Sequence, residues 1–132
     1  MRLLVTLSLL AAFLLSPRLV AGVSSPLTVT ISPNGFVQEG TDLKVSVRVK
    51  REKGDRSIQI ALDCDHYYGD SAFDITSEDG SVFTAKFVDI PDGDCVGIAR
   101  LLREEGGEIR PYQSQSQVVK VLPVGPESWQ GV

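Results

Sequence analysis

The chain has 132 residues, room for one domain, with 42% hydrophobic and 23% charged residues. Thirteen basic against seventeen acidic side chains leave a net charge of −4. That sign disfavours nucleic-acid binding and electrostatic docking on an anionic membrane.

Residues 1–22 read as a secretory signal peptide. Arg2 is the positive start, Leu3 to Leu15 the apolar stretch, and Val20-Ala21-Gly22 the small-residue cleavage site. An uncleaved anchor is the alternative, but the apolar run is shorter than the ~20 residues a span needs. Processing would remove Arg2 and Arg18, leaving eleven basic and seventeen acidic groups, a net −6. The leader has no cysteine to carry a lipid anchor, and no second long apolar stretch follows. The expected product is secreted, extracellular or periplasmic, with no membrane span after processing. The two cysteines, Cys64 and Cys95, are then expected to form a disulfide, two free buried thiols being the alternative.

From residue 23 onward, short alternating runs recur about every ten residues between Gly, Pro, Asp and Asn, and no window holds a helical period. Leu27, Val29 and Ile31 alternate with Thr28, Thr30 and Ser32, and Pro33-Asn34-Gly35 ends that strand. After a short Phe36-Val37 piece comes the clearest run. Leu43, Val45, Val47 and Val49 face one way; Lys44, Ser46, Arg48 and Lys50 face the other. Arg51 to Arg56 is a charged turn, and a third strand covers Ser57 to Cys64. Asp65 to Asp70 reads as a polar loop and Ala72 to Thr76 as a weak strand. Phe83, Ala85 and Phe87 mark a fifth strand. The sixth, Cys95 to Arg103, is apolar on both parities at Val96 and Ile98, as a central strand would be. Glu104 to Glu108 is read as a turn, Gln117 to Leu122 as the seventh strand, and residues 124–132 as a flexible tail containing Trp129.

Seven locally connected strands and no helix predict an all-β antiparallel sandwich over residues 23–123, with a five- or six-stranded barrel as rival. Two stretches carry a resemblance. Ile31-Ser-Pro33, Val37-Gln-Glu-Gly40 and Leu43-Lys-Val45-Ser-Val47 resemble the passage from first to second strand in the immunoglobulin-like superfamily. Phe87 to Gly97, with Ile90-Pro91-Asp92-Gly93, resembles the entry to its sixth strand. Cys95 stands where the corner tyrosine would be and Gly97 where a cysteine is usual. The second strand lacks a cysteine and the third a tryptophan. The resemblance implies a seven-stranded immunoglobulin-like sandwich with neighbouring third and sixth strands, so that a Cys64–Cys95 bridge joins adjacent strand ends.

That topology would gather Asp63, Asp65, Asp70, Asp89, Asp92 and Asp94 at one pole with His66. Turn chemistry accounts for such aspartates, since Asp bonds nearby backbone amides. A calcium site on Asp63, Asp65, Asp92 and Asp94 is the sharper alternative, although the spacing does not match the twelve-residue calcium loop. His66 is the only histidine, too few for the usual catalytic zinc site. No Gly-x-Ser-x-Gly elbow appears, and both cysteines are committed to the bridge, so an enzyme is not expected. Asp65, His66, Tyr67, Tyr68 and Asp70 form a candidate binding loop, because exposed tyrosines bring large contact area at low entropy cost. The expected function is a secreted, non-enzymatic module binding a protein partner through loops or a sheet edge. The alternatives are a carbohydrate- or calcium-binding module using the Asp/Tyr-rich pole and a small enzyme inhibitor. No other cofactor is implied.

Overall fold

A computed structural model of the protein describes residues 25–124. Residues 1–24, which include the expected signal peptide, and residues 125–132, with most of the expected tail and Trp129, lie outside the described residues. The described residues form nine strands and no helix: β1 (Leu27–Ser32), β2 (Phe36–Gln38), β3 (Leu43–Val49), β4 (Asp55–Cys64), β5 (Tyr67–Asp74), β6 (Val82–Phe87), β7 (Gly93–Glu105), β8 (Glu108–Gln115) and β9 (Val119–Leu122).

They make two sheets. One has the order β1-β3-β6. The other runs β2-β9-β7-β4-β5, with β8 also paired to β7. All pairs are antiparallel except β2 with β9, which is parallel. The 13-residue β7 organises the larger sheet. One of its edges pairs along β4; the other pairs first with β9 and then with β8. Ser116 manages that change of partner. Its amide donates to the Gly97 carbonyl at 2.8 Å, and its hydroxyl accepts the Gly97 amide at 2.8 Å.

Alternation decides which side of each sheet is dry. Leu27, Val29 and Ile31 of β1, Leu43 to Val49 of β3, and Ala85 and Phe87 of β6 share one core with Ile58, Ile60, Leu62, Ala99, Leu101 and Val119 of the larger sheet. Burying each large aliphatic side chain contributes about 1.5–3 kcal/mol. This shared core is what holds the two sheets together.

Four readings of the sequence need correction. There are nine strands rather than seven, and one pair is parallel. The expected Asp65–Asp70 loop shrinks to the two-residue Asp65-His66 turn, because Tyr67 already pairs with Cys64, and the weak strand begins at Tyr67. The Glu104–Glu108 turn is only Gly106-Gly107, followed by the unanticipated β8. The last strand starts at Val119 instead of Gln117.

Candidate functional site

The expected disulfide is present. Cys64 and Cys95 are directly opposite on β4 and β7, with Cα atoms 4.1 Å apart and a sequence separation of 31. The bridge therefore staples neighbouring strands of one sheet at the pole where the β2–β3, β4–β5 and β6–β7 turns meet.

At that pole two aspartates, Asp65 and Asp42, accept backbone amides. Asp65 Oδ2 accepts the Asp94 amide at 2.9 Å, while the Asp65 amide donates to the Asp94 carbonyl at 3.1 Å. A Cβ on Gly93 would stand 2.9 Å from the Asp65 Cβ, so only glycine admits this approach. Asp94 Oδ1 lies 3.5 Å from Lys120 Nζ. Asp42 Oδ1 accepts the Asp89 amide at 3.0 Å, which holds Asp89 at φ 55°. Asp63 lies on the outer face of β4, and Asp92 in the β6–β7 turn. Asp70 sits on β5, well along the strand from the turn, accepting the Gln59 amide at 2.8 Å. Among the described residues no group of three or more His, Cys, Asp or Glu side chains is placed to hold a metal ion.

The candidate binding loop is likewise split. His66 stays in the turn. Tyr67 is half-buried against the core, its hydroxyl and the Phe87 ring closing over Gly69. Tyr68 and Asp70 point the other way, and Tyr68 is 61% exposed on the outer surface of the larger sheet.

The opposite pole holds a network with no sequence motif to announce it. Asp55 and Arg103 are both buried, with Arg103 Nε 2.6 Å from Asp55 Oδ1. Arg103 also donates to the Lys50 carbonyl at 2.7 Å, meets Glu52 at 2.7 Å, and lies 5.4 Å from the Tyr112 ring centroid. Arg51 donates to Asp55 Oδ2 at 3.0 Å and to the carbonyls of Thr76, Asp79 and Gly80. Tyr112 donates to Glu105, and that carboxylate, with some desolvation, raises the Tyr112 phenol above its ordinary value. These bonds tie the β3–β4 and β5–β6 turns around an open cleft of about 830 Å³. Of the cations that line it, Arg51 is engaged with Asp55 and three turn carbonyls and Arg56 with Glu104.

The strongest asymmetry lies between the two outer faces. The β1-β3-β6 sheet presents Thr28, Thr30, Ser32, Lys44, Ser46, Arg48, Thr84 and Lys86; Val82 is the one large apolar residue described there. Lys44, Ser46 and Arg48, read in the sequence as facing away from the apolar side of their strand, belong to this polar surface. The larger sheet presents Val96, Ile98 and Leu102 along the middle of β7, half-buried, with Tyr68, Ile109, Val118, Leu122 and Phe36 exposed around them. Phe36 is 71% exposed. Arg100 stands exposed between Ile98 and Leu102, flanked by Gln59 and Gln113, with no carboxylate in ion-pair range among the described residues.

No family model matches the chain, and no curated protein matches its sequence. Among the described residues no helix is long and apolar enough to cross a membrane.

Proposed function

We propose that the protein is an exported, non-enzymatic recognition module of immunoglobulin-like sandwich architecture that binds a protein partner through the outer face of its six-stranded sheet. The observation that carries this reading is the contrast between the two faces. Contiguous exposed apolar surface rimmed by polar groups marks interaction sites on soluble proteins, and arginine and aromatic residues are the usual anchors. Only the larger sheet has that composition.

The sandwich assignment draws support from the strand order and from one cross-sheet contact. Gly97 of β7 faces Val45 of β3 so closely that an added Cβ would lie 2.9 Å from Val45 Cγ1. Those are the strands that carry the inter-sheet cystine in antibody-type domains. Here a valine filling the space over a glycine takes its place. Export is supported by the leader pattern and by the disulfide, a bond that persists in oxidising compartments. The non-enzymatic reading draws on the sequence, which shows no Gly-x-Ser-x-Gly elbow, and on the commitment of both cysteines to the bridge.

The test is capture from the medium or periplasm of the native host, with tagged protein as bait. Ile98→Lys should abolish capture and Thr30→Lys, on the polar face, should leave it intact. Equal capture by both variants would overturn the assignment.

A further inference from the structure

We infer that Asn34 is a site of spontaneous covalent modification, converting to aspartate and isoaspartate in the folded protein, and that the isoaspartate form releases β2 from β9. Asn34 is the only asparagine in the chain, and Gly35 follows it. Both lie in the β1–β2 turn, where residues 32–36 are all exposed. Among the described residues no backbone acceptor takes the Gly35 amide. Gly35 holds φ 78°, and a Cβ built on it would meet nothing within 4 Å, so the space around this peptide is open. Glycine's conformational freedom then lets its nitrogen turn toward the Asn34 side chain.

The Gly35 nitrogen loses its proton to solvent and attacks the Asn34 side-chain carbonyl carbon. A bond forms from that nitrogen to Cγ, the bond from Cγ to the side-chain amide nitrogen breaks, and ammonia leaves a cyclic imide behind. Water then opens the ring. Cleavage at Cγ leaves aspartate; cleavage at the main-chain carbonyl leaves isoaspartate, whose backbone runs through Cβ and Cγ. Water is the only co-reactant, and nothing is oxidised or reduced. Asp79-Gly80 and Asp92-Gly93 could form the same ring, but carboxylates are ionised at neutral pH and are poor electrophiles. Both are also restrained. Asp79 Oδ2 accepts the Thr76 amide at 2.7 Å and its hydroxyl at 3.2 Å. Gly93 pairs with Val121 and packs over Asp65. Asn34-Gly35 carries neither restraint. The Gly35 carbonyl accepts the Lys120 amide at 2.9 Å, at the start of a parallel pairing that joins only Phe36, Val37 and Gln38 to β9. An extra backbone carbon one residue earlier displaces that carbonyl, on the strand that carries the exposed Phe36.

The test is incubation of the purified protein in mildly alkaline buffer beside a synthetic peptide of residues 32–37, followed by mass-spectrometric peptide mapping. Asn34 in the folded protein should exchange its side-chain nitrogen for oxygen at a rate within about tenfold of the peptide's, the rate ratio that about 1.4 kcal/mol in the barrier sets. Isoaspartate should be among the products. Asn34→Gln should gain no mass in the turn, and Asp79 and Asp92 should stay unmodified. After chromatographic separation, the isoaspartate form should exchange its Lys120 amide proton about tenfold faster than the unaltered protein. Asn34→Asp, which adds the charge without the backbone carbon, should leave that amide protected. A folded protein that reacts more slowly than this range, yields no isoaspartate, or reacts first at Asp79 or Asp92 would overturn the modification site. An isoaspartate form whose Lys120 amide exchanges as before, or an equal loss of protection in Asn34→Asp, would overturn the release of β2.

Discussion

At the scale of single residues, the pole opposite the disulfide shows how buried charge is tolerated. The Asp55 side chain is 0% exposed and that of Arg103 6%, yet every buried side-chain polar atom described has a hydrogen-bond partner. Removing one member of such a pair leaves an uncompensated buried charge, so Asp55→Ala should cost about 3–5 kcal/mol, measured by urea unfolding. Replacing both members together, Asp55→Leu with Arg103→Met, should cost clearly less than the sum of the single changes. Tyr112 gives a pH signature. Its phenol is raised in the folded state, first by the hydrogen bond to Glu105. The stability from that bond is therefore fully present below the ordinary phenol range and is lost as pH rises through the raised value. Ultraviolet titration should show Tyr112 ionising late, and Glu105→Gln should move it back down. None of this was legible beforehand, because Asp55 and Arg103 are 48 residues apart and only the fold brings them together.

Among the elements, legibility followed position in the sheet. β1, β3, β4 and β7 announced themselves because each buries a full alternating face. The strands misread as loop or turn are at the margins. β5 carries Gly69 and Asp70 among its residues, and β8, Glu108–Gln115, holds Pro111 and is largely exposed, so neither shows a dry side. A proline is tolerated there because an edge strand has amides that need no ladder partner. The disulfide was legible because two cysteines allow one pairing. It closes a loop of about thirty residues, for which chain entropy gives at most ~3.5 kcal/mol. Because β4 and β7 are already paired along their length, Cys64→Ala with Cys95→Ala should lower stability by about 2–3 kcal/mol and leave the far-ultraviolet dichroism spectrum unchanged. Gly97→Ala should be comparably harmful, costing about 1–3 kcal/mol in thermal unfolding, since its Cβ would strike Val45 from the opposite sheet.

For the whole molecule, the candidate site shifted from a pole to a face. Aspartates suggested metal ligands, but Asp65 is occupied by a turn amide, Asp70 by a glutamine and Asp94 by Lys120. The surface that stands out was visible as a single clue, the apolar residues of both parities at Val96 and Ile98. A central strand covered on both sides would produce that pattern, and here one side is covered only by solvent. Val118 and Leu122 around it drew no notice because they belong to a strand expected to matter only for its inward residues. The direct measurement is methyl NMR of the labelled protein as its captured partner is added. The methyl signals of Val96, Ile98 and Leu102 should shift or broaden while those of Thr28, Thr30 and Thr84 stay fixed. Movement confined to the threonine face would contradict the account.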